Sequence, residues 1–255
     1  ITCGTLALKN NGDLNNASGL DLSGGQLDAT AITLTSLNLQ TLSGNALTTA
    51  GSLVLGTKNL ALSAVTDDLY DGSISGNGSV NITGTGGYTL AGASTFSGTL
   101  KFDIAGQTLT LDDPLALQNA KLNLANGSLD ILQSTQLRSL SGGATINVSL
   151  NANTLTLANA LDTFSGNISG TGGLTVSGGT ETLSGTNAYT GTTNITGGTL
   201  VLSNANAISA SSALNLSNAS GVYLNTTTST TVNNLTGGGT IGGNINVSSG
   251  TLTVA

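Results

Sequence analysis

Side chains able to do acid–base or metal chemistry gather in two places, Asp67-Asp68-Leu69-Tyr70-Asp71 and Asp112-Asp113. Two carboxylates held ~5–9.5 Å apart could act as acid and base, or as nucleophile, on a glycosidic bond. The same oxygens could contribute to a Ca²⁺ shell, which needs about 6–8 of them. The surrounding residues argue against both. Asp112-Asp113-Pro114 reads as a turn, and 67–71 reads as a loop with solvated charges. Aromatics to stack a sugar do not gather beside either cluster, Tyr70 standing alone at a repeat position, and neither do bases to hold an anionic one. The Gly-Gly-x-Gly-x-Asp repeat of calcium-binding β-rolls is missing, because Gly237-Gly238-Gly239-Thr240-Ile241-Gly242 has no Asp in place.

The chain has no histidine, which excludes a Ser-His-Asp triad and the usual zinc ligand set. Cys3 is the one cysteine, so no internal disulfide can form; it reads as a small residue in an end coil, with an intermolecular bridge or reactive thiol as the alternative. Gly76-x-Gly78 and Gly170-x-Gly172-Gly173 are followed by strand-like pairs. A dinucleotide fingerprint needs a helix there, so these glycines read as corners. The sequence assigns no catalytic residue, no cofactor-binding residue and no metal ligand, and the chain is expected not to be an enzyme.

The elements that would position any such residue are short and regular. Among 255 residues there are 37 Gly, one Pro and no Met or Trp; 3% are aromatic and 7% charged. Leu, Ile and Val must fill the interior, with Ser, Thr, Asn and Gly outside. Apolar residues come in alternating pairs such as Leu37/Leu39, Leu60/Leu62 and Val80/Ile82, cut by Gly or Asn every few residues. A period of two points both members to one face and gives a strand, not a helix.

The pairs also repeat over long distances. Gly4-Thr5-Leu6-Ala7-Leu8 recurs far along the chain as Gly198-Thr199-Leu200-Val201-Leu202. Tyr70-Asp71-Gly72-Ser73-Ile74 recurs as Phe164-Ser165-Gly166-Asn167-Ile168, and Gly92-x-x-x-Phe96-x-Gly98 as Gly185-x-x-x-Tyr189-x-Gly191. An aromatic at a fixed repeat position reads as a corner or core element. About two and a half copies result, near 4–106, 107–197 and 198–255, within one continuous segment 1–255. The first copy holds about twelve strand-sized units, or four coils of three strands and about 23–25 residues each, within the solenoid range. The expected fold is all-β: a right-handed, three-faced parallel β-helix of about ten to twelve coils, with handedness from the parallel-crossover rule. Neither end resembles a polar cap, no signal peptide opens the chain, and no C-terminal barrel strands close it. The chain therefore reads as a segment of a longer polypeptide.

The stretch 170–202 resembles the autotransporter-associated β-strand repeat of Gram-negative bacterial surface proteins. The family's Gly-x-Gly-x-Leu-Thr, Leu-x-Gly-x-Asn-x-Tyr-x-Gly-x-Thr and Gly-Thr-Leu pattern falls on Gly170, Gly172, Leu174, Thr175, Leu183, Gly185, Asn187, Tyr189, Gly191, Thr193, Gly198, Thr199 and Leu200. The resemblance is strongest over 164–202, clear over 72–111 and partial elsewhere. It implies an exported passenger domain, secreted or displayed on the cell surface, acting as a structural stalk or adhesin. Its implied partner is a host-cell or neighbouring-cell surface ligand, with self-association as a further possibility.

Charge agrees with such a role. The net charge is −7, and Lys9, Lys58, Lys101, Lys121 and Arg138 are scattered, so no basic patch exists for nucleic acid. No apolar run reaches the ~18 residues of a helical membrane span. A polysaccharide-binding or -degrading β-helix and an extracellular filament subunit are the competing classes. Outward Thr-x-Thr pairs at Thr33/Thr35, Thr108/Thr110, Thr154/Thr156 and Thr251/Thr253 hint at a surface-binding array, although the coils between them lack that motif.

Overall fold

A strand that offers only two inward Leu, Ile or Val side chains covers little core, so turn and strand must alternate quickly. In the computed structural model, which describes residues 1–255 except 11, 13, 15, 16, 45–49 and 218, this produces twenty-nine strands and no helix among the described residues. Paired strands run parallel and stack into a β-solenoid of about eleven turns in all. The chain divides into two compact units, Ile1–Leu129 and Asp130–Ala255. The first repeat copy contains the expected twelve strands, from Thr5–Asn10 to Thr99–Leu111.

In the first unit one turn consists of Ser73–Ser75, Ser79–Gly84 and Tyr88–Leu90. Val80 pairs with Leu60 of the turn before and Leu100 of the turn after. Leu60, Val80 and Leu100 form one inward column, and Leu62, Ile82 and Phe102 a second; none of the six is more than 2% exposed. Full burial of each such side chain is worth about 1.5–3 kcal/mol, and like residues stack because the register is in phase.

The second unit is built on a six-stranded sheet: Thr135–Leu137, Leu155–Leu157, Leu174–Val176, Thr193–Ile195, Leu214–Leu216 and Leu235–Gly237. Its inward column Leu137, Leu157, Val176, Ile195 and Leu216 is buried. Turns here are shorter than the sequence repeat suggests: Leu155 already meets its partner at Leu174, and Leu174 meets the next at Thr193. The first copy packs more turns than four, and only particular steps are long, such as the one from Leu27 to its partner Leu53. An average over the copy concealed both.

The repeat extends to backbone detail. Gly4 and Gly198, at matching places in the first and third copies, have φ of 74° and 71°. Their carbonyls accept hydrogen bonds from the N–H groups of Gln26 and Tyr223 respectively, each at 2.9 Å. The aromatic corner repeats too. The N–H groups of Thr95 and Phe96 both donate to the Ile74 carbonyl, and those of Ala188 and Tyr189 both donate to the Ile168 carbonyl. Phe96 and Tyr189 are each 1% exposed, so the repeated aromatic is a core element.

Gly78, Gly92, Gly98, Gly172, Gly185 and Gly191 do not sit at positive φ. Their constraint is contact with the preceding turn. A Cβ on Gly185 would lie 1.9 Å from the Gly166 carbonyl oxygen, and one on Gly98 would lie 1.7 Å from that of Gly78. Backbones stacked at this distance leave no room for a side chain.

Candidate functional site

The register treats the sequence's two acid clusters differently. Asp113 serves its own turn: its Oδ1 accepts from the Leu115 N–H at 2.7 Å, and Asp112 is exposed. At 67–71 the expected loop is in part a strand, Asp68–Tyr70, paired with Tyr88–Leu90. Asp67 and Asp68 line a cleft of ≈ 320 Å³ together with Asp21, Ser23 and Ser43. Asp21 went unrecognised in the sequence because it lies two turns away from Asp67 along the chain. The pairings Asp21–Ser43 and Gly44–Tyr70 bring it there.

These carboxylates are largely occupied by the fold. Asp67 Oδ1 accepts from the Gly87 N–H at 2.7 Å, and Asp21 Oδ1 accepts from the Ser23 hydroxyl. Asp68 is half-buried and not solvated as expected. Burial pushes its carboxyl above the usual range and the charge of Asp67 adds to this, while the Thr66 hydroxyl, donating at 3.2 Å, opposes it. A carboxyl whose proton affinity is raised by burial, beside another acid, is a composition to test for acid–base chemistry. No aromatic or basic side chain lines the cleft, however. Among the described residues no group of three or more acidic, His or Cys side chains could hold a metal. Cys3 is exposed.

A second feature is a whole face. On the six-stranded sheet of the second unit, Gln136, Thr156, Thr175, Asn194, Asn215 and Thr236 are successive register partners and point outward. The rows lie about 4.8 Å apart. Asn215 Nδ2 donates to Asn194 Oδ1 at 2.9 Å, and the Thr236 hydroxyl donates to Asn215 Oδ1. Thr154/Thr156 belongs to this face, whereas Thr251/Thr253 pairs with a different strand, Thr230–Val232. The Thr-x-Thr motif therefore understates the array. Every row is filled by a polar uncharged residue, but three of the six rows carry Gln or Asn in place of Thr, and the sequence motif counts only Thr.

The third feature lies inside the second unit. Glu181 is 0% exposed, and neither carboxyl oxygen has a hydrogen-bond partner. Thr182 pairs with Thr163, which sets Glu181 above Asp162; on the other side Glu181 pairs with Leu200. Burial, reinforced by Asp162, pushes the Glu181 carboxyl up to about 9. The equivalent slot in the first unit holds Tyr88, paired with Asp68 below and Leu109 above. Tyr88 is 2% exposed, and its hydroxyl donates to the Leu42 carbonyl. No motif singles out Glu181, although its place in a Thr-Glu-Thr-Leu strand puts it on the Leu side.

No protein-family model matches the chain. Neither a curated protein nor a solved structure matches it. Among the described residues no helix is long and apolar enough to cross a membrane.

Proposed function

We propose that this chain is a structural and adhesive scaffold of a secreted or surface-displayed bacterial protein, in the manner of an autotransporter passenger stalk, and that it performs no catalysis. The resemblance of 164–202 to the autotransporter-associated repeat motivates the reading. The observation that carries it furthest is the six-row outward column from Gln136 to Thr236, without a charged member. A flat polar face can meet a neutral, hydroxyl-rich surface without desolvating ions, whose burial is costly unless they are paired. The second unit contains three acids, Asp130, Asp162 and Glu181, and one base, Arg138, so it can approach a charged cell surface with little repulsion. A fold made of nearest-neighbour turns, with no internal disulfide, also suits a chain that forms turn by turn after export.

The partner under this reading is a surface ligand of a host or neighbouring cell. The immobilised chain should capture cells or a neutral glycan matrix. The Thr175→Glu/Asn194→Glu pair should abolish capture at only a small cost in stability, because both side chains are half-exposed and the facing charges are solvated. Thr182→Glu/Val201→Glu, on another strand pair, should leave it intact. Absence of capture by the unaltered chain, or equal loss in both double variants, rejects the proposal.

A further inference from the structure

We infer that Glu181, stacked on Asp162 inside the second unit, is a proton-dependent latch: the turn that carries it is closed while Glu181 holds a proton and opens when the proton passes to solvent. The argument rests on placement. Glu181 occupies an inward position between the carboxylate-bearing row of Asp162 and the apolar row of Leu200. Its two oxygens are sealed from water and bonded to nothing. An ionised carboxylate there would meet neither solvent nor a donor, and it would face a second carboxylate. The neutral acid escapes the repulsion and replaces the cost of an unpaired buried charge by the smaller one of an unpaired buried polar group.

The groups around it are few. Asp162 faces Glu181 from the turn below, with its Oδ2 accepting from the Ser139 hydroxyl at 2.5 Å. Ser139 Oγ also accepts from the Leu161 N–H at 3.0 Å, so this serine fixes the corner that presents Asp162. Arg138, the one base of the unit, precedes Ser139. The strands Leu174–Val176 and Thr199–Leu202 contribute no ionisable side chain. The first unit supplies an internal comparison. Its matching slot is filled by Tyr88, whose hydroxyl has an acceptor and stays neutral across the physiological range. Only the second unit carries a group in this slot that can become charged near neutral pH.

Opening would break the hydrogen bonds that tie this turn to the one below, Thr180 N–H to the Ala160 carbonyl at 2.7 Å and Thr182 N–H to the Asp162 carbonyl at 3.1 Å. The closed form keeps its proton up to about pH 9, while an opened Glu181 releases it above the ordinary 4.5. Between those values the open form gains on the closed form tenfold per pH unit. Below 4.5 both forms are protonated and the dependence vanishes.

The test is hydrogen exchange of the Thr180 and Thr182 amides in the full chain from pH 5 to 8, corrected for the intrinsic exchange rate. Protection should fall about tenfold per pH unit, while the Ser97 amide of the first unit, bonded to the Gly76 carbonyl, stays flat. Glu181→Gln should flatten the Thr180 and Thr182 profiles. Glu181→Leu, which continues the column of Leu200, provides a second variant should the Gln chain fold poorly. An infrared absorption of a protonated carboxyl should persist at pH 7 in the unaltered chain and be absent from both variants. A flat profile in the unaltered chain overturns the inference. So does a slope that survives in the variants, or protection that follows added calcium in place of protons.

Discussion

Asn187 Oδ1 accepts the backbone N–H of Ile168 at 2.8 Å, one turn below, while its Nδ2 donates to the Ala207 carbonyl, one turn above, also at 2.8 Å. One buried side chain therefore joins three successive turns at a corner where the strand ladder lapses. In the first unit Ser94 does half of this, its Oγ accepting the Ile74 N–H at 3.0 Å. Asn187→Ala should leave two buried backbone groups without these partners. At about 1–3 kcal/mol for each orphaned group, the loss should be on the order of 2–6 kcal/mol. Ser94→Ala should cost less. Urea unfolding midpoints of the two variants check the ranking, and a smaller loss for Asn187→Ala would contradict it.

Leu200 is completely buried between Glu181 and Leu224, and its neighbour Thr199 is half-exposed. Leu200→Asp removes packing worth ~2–5 kcal/mol and buries an unpaired carboxyl beside another acid, which adds several kcal/mol. Thr199→Asp should change stability by less than about 1 kcal/mol. Equal losses in a denaturant melt would mean that the inward register of this strand is wrong.

The strands, their parallel stacking and the number of turns were legible in the sequence because a period of two is unambiguous when one face is all Leu, Ile or Val. Leu60/Leu62 and Val80/Ile82 alone fix both the inward face and the neighbouring turn. The turn length was not legible from an average, since steps such as Leu27 to Leu53 absorb extra residues without disturbing the columns. The polar face was half legible. Thr154/Thr156 marked it, but only the register shows that Asn194 and Asn215 continue the same column. Long-range neighbours that depend on step length escaped altogether. Asp21 beside Asp67, and Glu181 above Asp162, are set by counting residues around each turn.

Asp67 and Asp68 should respond oppositely to substitution. Asp67→Ala deletes the acceptor of the Gly87 N–H and should cost about 0.5–1.5 kcal/mol. Asp68 has a folded-state proton affinity raised mainly by burial, so the folded chain holds that proton more tightly than the unfolded one. Its contribution is full below the ordinary value of 3.8 and is lost as pH rises through the higher folded value. Asp68→Asn should therefore raise the unfolding midpoint at pH 7 and change nothing below pH 3.8. A drop in stability at pH 7, or hydrolysis of a glycan that vanishes in either variant, would point to a working carboxylate site in the cleft and against the scaffold reading.

Gly185 should matter more than any charged surface residue. It repeats the position of Gly92, and an added Cβ would sit 1.9 Å from the Gly166 carbonyl oxygen and 2.5 Å from that of Ser165. Both obstacles are backbone, so no rotamer change relieves them, and the turn itself must move away from its neighbour. Overpacking of a side chain typically costs about 1–3 kcal/mol, and displacing a stacked backbone should reach the upper end or beyond. Gly185→Val should open the corner, break the adjacent ladder at Thr182 and Ser184, and expose parallel strand edges to protease. Asp112→Asn changes an exposed side chain at the start of a turn and should leave digestion unaltered. Limited proteolysis of the two variants side by side decides the matter. Rapid cleavage of Asp112→Asn with full resistance of Gly185→Val would transfer the weight from stacked backbone to the acids.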